Sequence, residues 1–270
     1  MSEQDIDASR APLLEHLIEL RQRLLYSIIA IAIAFGVCFY FADQVFNILL
    51  GPFEQAVGDA SEVKLIYTAP QEYFFTQLKL ALFGALFIAF PVLATQIYMF
   101  VAPGLYKNER GAFLPFLLAT PILFLMGASL VYFLIMPLAL GFFIGMEQTG
   151  GEGQAAIELL PRVSEYLGLT MTLIFAFGLC FQLPVLMTLL GRAGLITAAQ
   201  LRKGRKYAVV AVFAVAAILT PPDIISQLGL GIPTLVLYEI SILSVALIER
   251  RRKKDAEEKE AAEGEATPSA

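Results

Sequence analysis

Apolar residues are gathered into six long runs along the chain, separated by polar stretches. The runs cover about residues 24–42, 74–102, 113–140, 166–190, 207–219 and 228–248. A helix needs roughly 20 apolar residues to cross the hydrocarbon core of a bilayer, and five of the runs approach or exceed that length. The pattern therefore predicts an all-α membrane protein with six transmembrane helices.

The fifth run is the exception in length, with 13 residues between Tyr207 and Leu219. A helix of that size is only about 20 Å long, so a re-entrant segment is the alternative to a crossing. Lys203, Arg205 and Lys206 precede the run, and Thr220 begins a polar turn after it. A full crossing through a locally thinned bilayer leaves these bases on the same side of the membrane as the other Lys and Arg clusters. The fifth and sixth helices are therefore predicted to be short.

Prolines interrupt the long runs, and such kinks are tolerated in lipid where neighbouring groups satisfy the freed carbonyls. Repeated kinks in successive helices favour a curved, cupped bundle over a straight one. No internal repeat is visible, which disfavours transporter folds that are built from inverted repeats. The prolines concerned are Pro91, Pro115, Pro121, Pro137 and Pro184.

Three regions follow from the pattern: an amphipathic N-terminal segment (1–23), a transmembrane domain (24–250) and a tail (251–270) predicted to be disordered. The N-terminal segment is polar and acidic and does not resemble a cleavable signal. The long loops 43–73 and 141–165 are expected to form short helices at the outer surface. If the N-terminus is cytoplasmic, sixteen Lys and Arg fall on that side and two on the other. Both termini are therefore predicted to be cytoplasmic.

Composition excludes several classes of function. Apolar residues make up 58% of the chain and charged residues only 16%, whereas a soluble domain carries about 25% charged residues. The basic residues form no stripe with interleaved aromatics, so nucleic-acid binding has no support. Cys38 and Cys180 lie inside apolar runs without a neighbouring Cys or His at metal-ligand spacing, and they are interpreted as buried apolar side chains.

The residues that enzymes need are missing from the apolar runs. The only histidine, His16, lies before the first run. There is no catalytic Ser-His-Asp pattern, no HExxH motif and no glycine-rich phosphate loop. The sequence therefore predicts a protein without enzymatic activity, cofactor or metal.

Two carboxylates are placed to bind cations on the predicted cytoplasmic side. Glu19 lies on the amphipathic N-terminal helix, beside a face of leucines that includes Leu17, and Glu109 lies in a loop with Tyr106. Taken singly, each carboxylate can be an ordinary solvent-exposed residue without a binding role. Glu19 has the spacing for a helical ion pair with Arg23. Together they would suit a peptide with arginines followed by an apolar stretch, because guanidinium groups bind carboxylates in a bidentate geometry.

Polar residues within the runs are few: Gln96, Gln182, Glu239 and Lys79. Lys79 can reach the outer interface, whereas Gln182 in mid-run needs a partner or a wet cavity. Glu239 is either protonated or paired. A small-solute secondary transporter is the alternative function, but it would bring more polar groups together at mid-membrane.

Three separated motifs resemble the TatC family, the core subunit of the twin-arginine protein translocase. They are HLIELRQRL at residues 16–24, FVAPGLYKNER at residues 100–110, and LTPPD at residues 219–223 followed by Ser226 and Gln227. The resemblance covers about residues 12 to 250. It implies a receptor for twin-arginine signal peptides that works with TatA- and TatB-type single-span partners, self-associates, and exports folded proteins across the bacterial inner membrane with the proton-motive force.

The resemblance also implies roles for individual residues. Glu19 and Glu109 would receive the two signal arginines, and the fifth and sixth helices would dock the partner helices. Many relatives have a glutamate where this chain has Gln182, which cannot ionise, so the resemblance implies a polar contact at this position and not a titrating group. The residues implied around the carboxylates are Phe100, Pro103, Arg21, Arg23, Leu17 and Tyr106, and those of an outer cap are Pro52, Asp223 and Gln227.

Overall fold

Helices make up almost all of the structure, a computed structural model that describes residues 3–58, 64–105, 114–148, 155, 157–220 and 223–265. Within these residues the only β pairing is two isolated bridges, Ile66 with Arg162 and Gln148 with Ile157. The α-helices are α1 Glu3–Tyr40, α2 Ala42–Val57, α3 Glu72–Leu105, α4 Leu114–Leu130, α5 Met136–Ile144, α6 Val163–Cys180, α7 Leu183–Arg192, α8 Ala198–Leu219 and α9 Ile224–Glu265, and a π-helical segment, Val131–Ile135, joins α4 to α5.

Five stretches are long and apolar enough to cross a membrane, which confirms the predicted all-α membrane class. They are His16–Tyr40, Glu72–Phe100, Pro115–Ile144, Val163–Arg192 and Ile224–Asp255. The predicted fifth run is not among them, because four bases occupy the first half of α8. It nevertheless forms one helix without a turn between Ala198 and Leu219, and its crossing of the membrane stays a prediction.

Two of the predicted spans are interrupted helices rather than continuous ones. The third run contains the π-helical segment directly before Pro137, and the fourth breaks at Phe181 and Gln182, directly before Pro184. Proline cannot donate the backbone hydrogen bond of a regular turn and its ring crowds the preceding turn. Both irregularities therefore have a local cause in the sequence.

The last helix is longer than predicted at its C-terminal end. The sequence predicts a short sixth helix and a disordered tail from residue 251, whereas α9 continues as helix to Glu265. Ala, Glu, Lys and Arg dominate this extension, and all four are good helix formers. Absence of an apolar face thus did not prevent helix formation here. Residues 266–270 of the predicted tail lie outside the described residues.

The chain divides into two compact units, and the first comprises residues 1–122 and 136–172. Here α1 packs along α3, and Ala34, Ala85 and Ala89 form the buried centre of that contact. Gly84 lies against Cys38, where an added Cβ would come within 2.9 Å of the sulfur. Small residues let the two backbones approach closely, as is common between membrane helices.

The end of the first unit that carries the loop 43–73 is tied together by polar contacts. The α2 helix confirms the expectation of a short helix in the loop 43–73. The buried Tyr166 hydroxyl donates to the carbonyl of Leu49 (2.7 Å). Glu72, at the start of α3, accepts from the Ser164 hydroxyl (2.6 Å) and from the backbone N–H of Thr68 (2.9 Å). These bonds fix the segments that join α2, α3 and α6.

The second unit comprises residues 123–135 and 173–270, with α7 and α8 packed against α9. The turn between α7 and α8 is held at both sides: Thr197 and Gln200 form a capping box, and Glu249 of α9 accepts from the N–H of Ala198 (2.9 Å). The Tyr238 hydroxyl donates to the carbonyl of Leu201 (2.8 Å). The start of α8 is therefore fixed against the charged end of α9.

Candidate functional site

Glu19 lies near the N-terminal end of the apolar part of α1 and is held by Arg23 one turn later. The Arg23 guanidinium donates from Nε (3.0 Å) and from Nη2 to the same oxygen, Oε1. The Glu19 side chain is about one-third exposed and that of Arg23 less so. The predicted helical ion pair is thus confirmed, and it leaves Oε2 as the oxygen that Arg23 does not contact.

His16 joins this carboxylate to the end of α3. Its ring stacks on Phe100 with centroids 4.2 Å apart and an interplanar angle of 16°. Its Nδ1 lies 4.0 Å from Oε2 of Glu19. The structure therefore brings together two of the predicted site residues, Glu19 and Phe100, through a histidine that the sequence interpretation left without a role. The only signal for it was its place in the first motif.

The surface beside Glu19 is apolar and open. Leu17 is 59% exposed, and Leu20 and Leu24 are exposed as well. Arg21 lies on the same helix and is also exposed. A cation with an apolar neighbour could therefore contact a carboxylate and a leucine surface together, without prior unfolding of α1.

Three predicted members of this site are not placed by the structure. Glu109 and Tyr106 lie outside the described residues, and Pro103 is described only as part of the α3 backbone. Their roles stay predictions. No group of three or more His, Cys, Asp or Glu suited to a metal ion occurs within the described part of the chain.

Gln182 lies at the break between α6 and α7 and is half-buried. Its side-chain Nε2 donates to the backbone carbonyl of Gly178 (3.3 Å), and its backbone carbonyl accepts from the N–H of Leu186 (2.9 Å). The residue thus supplies hydrogen bonds where the regular helical ladder is interrupted. This agrees with a polar contact that does not need an ionisable group.

Glu239 is paired, which resolves the two alternatives that the sequence left open. Its Oε2 accepts from Nη2 of Arg205 on α8 at 2.7 Å, and both side chains are about half exposed. Arg205 precedes the apolar part of α8. Glu239 is therefore level with the basic start of α8.

The residues predicted for the outer cap are divided between the two units. Pro52 is buried within α2, in the first unit. Asp223 and Gln227 belong to the start of α9, in the second, where buried Asp223 accepts from the N–H of Ser226 (2.6 Å) and the N–H of Gln227 bonds to the Asp223 carbonyl (3.2 Å). Asp223 is thus the N-terminal cap of α9.

This cap gives a stability prediction. Asp223→Ala removes the acceptor for the Ser226 N–H and should destabilise the protein by about 1 kcal/mol. Asp223→Asn keeps a side-chain oxygen and should cost clearly less. Thermal unfolding of both variants in detergent is the measurement. Equal losses for the two variants would show that the carboxylate charge, and not the cap, is what stabilises this end of α9.

Comparisons with known proteins agree with this arrangement. The family model of the Sec-independent protein translocase protein TatC matches residues 15–233. The chain is 48% identical over 254 residues to the TatC protein of Magnetococcus marinus, covering 94% of this chain and 89% of that protein. It is 38% identical over 231 residues to the TatC protein of Escherichia coli, covering 86% of each.

A solved structure agrees as well. The crystal structure of a twin-arginine translocase receptor TatC superposes with a TM-score of 0.74 at 41% identity, covering 87% of this chain and 99% of that one. The residues matched by the family model, 15–233, include Glu19, Phe100, Gln182 and Asp223. The chain is therefore a member of the Sec-independent protein translocase TatC family.

Proposed function

We propose that this chain is the signal-peptide receptor of a twin-arginine translocase and that the Glu19 end of α1 is its binding surface. The observation that supports the proposal most directly is the combination of a carboxylate, an aromatic stack and exposed leucines at one place. A twin-arginine signal peptide offers guanidinium groups and an apolar segment in matching order. The chain acts as a translocase subunit and not as an enzyme.

The geometry at Glu19 defines how an arginine would bind. Arg23 already donates twice to Oε1, so an incoming guanidinium would donate to Oε2, on the side where His16 lies. Arg23 then holds the carboxylate in a fixed rotamer, which reduces the side-chain entropy lost on binding. The second signal arginine is assigned to Glu109.

Orientation and partners complete the proposal. The excess of Lys and Arg on one side supports a cytoplasmic location for the Glu19 surface and both termini, in a bacterial inner membrane. Members of the family work in a complex with other Tat components. We assign TatA- and TatB-type single-span proteins as partners of α8 and α9, with the proton-motive force as the energy source. A small-solute transporter is less well supported, because Glu239 is paired with Arg205 and few polar residues lie within the apolar runs.

Cross-linking tests the receptor assignment. A twin-arginine peptide with a photoreactive group should cross-link to the wild-type protein in membranes, and Glu19→Ala and Glu109→Ala should each reduce the yield strongly. Glu165→Ala is a matched control, since Glu165 is an exposed carboxylate on α6 that contacts Arg162. Insertion of every variant is checked by protease protection. Full cross-linking in both Glu19→Ala and Glu109→Ala would place recognition elsewhere and overturn the residue roles.

A further inference from the structure

The second unit carries a dense group of cations around the end of α9. Five consecutive bases, Arg250 to Lys254, follow directly after the last apolar residues of the span, and all five are exposed. Consecutive residues of a helix are about 100° apart, so five of them surround its whole circumference. Whatever the rotation of α9, several of these side chains face outward.

The start of α8 adds further cations, displaced from Arg250 toward the apolar stretch of α9. Glu249 accepts from the N–H of Ala198 (2.9 Å), which brings the first turn of α8 beside residue 249. Arg252 reaches over Gly194 in the preceding turn, where an added Cβ would lie 3.4 Å from its Nη1. Arg202, Lys203 and Lys206 are exposed on the next turns. We call the combined surface the basic rim, formed by Arg202, Lys203, Lys206, Arg250, Arg251, Arg252 and Lys253.

The protein itself does little to neutralise the basic rim. Two of the nearby carboxylates are already engaged: Glu239 pairs with Arg205, and Glu249 caps α8. Within the described part of the chain, no member of the rim forms an ion pair, and Lys206 instead lies 5.0 Å from the ring centroid of Tyr207. These cations have few partners within the described part of the chain, so they attract anions from outside it.

The order of residues along α9 identifies the source of those anions. An apolar stretch is followed by bases, and only then by acids such as Asp255, Glu257 and Glu258. With a rise of about 1.5 Å per residue, the bases lie within the first 10 Å or so beyond the apolar stretch, whereas most of the acids lie farther out. That is the depth of lipid phosphates next to a membrane-spanning helix, and basic clusters there attract anionic lipids.

We infer that the basic rim is a binding site for anionic phospholipid headgroups, which hold the α8 and α9 ends at the membrane surface. Lys and Arg can lay their aliphatic stems along the apolar boundary while the charged groups reach the phosphates. An acidic protein partner would not need the cations at this depth. Binding of such a partner would also not depend on the lipid composition of the membrane.

Lipid selectivity in reconstituted membranes tests the inference. Electron paramagnetic resonance of spin-labelled phosphatidylglycerol and phosphatidylcholine gives the ratio of their association constants with the full-length protein. Wild type should prefer phosphatidylglycerol, and high salt should weaken that preference. A triple variant should weaken the association of phosphatidylglycerol with the rim about tenfold or more; it combines Arg250→Gln, Arg251→Gln and Lys253→Gln. The measured ratio of the two association constants should then move toward one.

Two controls separate the rim from general charge effects. Arg250→Lys with Arg251→Lys keeps the charges and should keep the selectivity. Lys64→Gln, Lys79→Gln and Arg162→Gln change the net charge equally but lie outside the second unit, and they should have a much smaller effect. A wild type without preference for phosphatidylglycerol, or equal losses in the two glutamine triples, would overturn the inference. Neither result would depend on signal-peptide binding.

Discussion

Replacing Gly127 with alanine should destabilise the protein by about 1–3 kcal/mol, the usual penalty for overpacking a close contact. In the second unit α4 meets α6 at this glycine, and an added Cβ would lie 2.6 Å from the carbonyl oxygen of Phe177 and 2.8 Å from its carbon. The obstacle is backbone, which cannot move aside as a flexible side chain can. The two helices would have to separate.

The surrounding packing offers no easy relaxation. Gly178, next along α6, receives the ring of Phe124 from α4, so the two glycines form reciprocal close approaches. Phe124 and Phe177 are almost completely buried. A shift that relieves Gly127→Ala would therefore open a gap around two aromatic side chains, and membrane helices depend on such packing because lipid provides no hydrophobic drive for their association.

The measurement is thermal unfolding of purified protein in detergent, with a decrease of about 5 °C or more expected for Gly127→Ala. Gly168→Ala on α6 is the matched control, because an added Cβ there meets nothing within 4 Å. That variant should be neutral or slightly more stable, since alanine favours helix over glycine by up to about 1 kcal/mol. Similar losses in both variants would contradict the assignment of a close α4–α6 contact.

Changing both arginines of a signal peptide to lysines should weaken its binding about tenfold or more, and Glu19→Ala should remove much of that difference. Oε2 of Glu19 has the position and exposure to accept from a guanidinium while Oε1 stays with Arg23. Hydrogen bonds to charged groups contribute about 1.5–3 kcal/mol. Partial exposure of the carboxylate puts the expected loss near the lower value, which still corresponds to about a tenfold change.

A double-mutant cycle measures this coupling directly. The Arg and Lys peptides are titrated against wild type, Glu19→Ala and the control Glu165→Ala, with fluorescence anisotropy of a labelled peptide as the readout. Discrimination should be unchanged in Glu165→Ala. If Glu19→Ala discriminates between the peptides as strongly as wild type does, then Glu19 does not contact a signal arginine, whatever its effect on overall affinity.

The helical class could be predicted because run length and hydropathy alone determine which segments can cross a bilayer. The interruptions within two runs could not be located in the same way. Phe181 and Gln182 continue an apolar run, and only the nearby Pro184 marks the place where backbone hydrogen bonds change. Hydropathy is a property of side chains and does not report backbone geometry.

The candidate site was predictable in its residues but not in its contacts. Spacing along one helix is sufficient to predict the pair of Glu19 and Arg23. The stack of His16 on Phe100 joins positions in different helices, as does the pair of Arg205 and Glu239. No local pattern encodes such pairs, because they depend on how far each helix slides along its neighbour.

The π-helical turn at Val131–Ile135 has a consequence for the register of the third span. Such a turn accommodates one residue more than a regular helix would, so side chains after it are rotated by about 100° relative to those before it. Ile135, the last residue of the turn, lies against Gly229 of α9, and Met136, directly after it, is completely buried at the start of α5. A single-residue deletion in this turn would restore a regular helix, but it would turn a different side of α5 toward α2. We therefore expect relatives to carry no single-residue insertion or deletion in this segment.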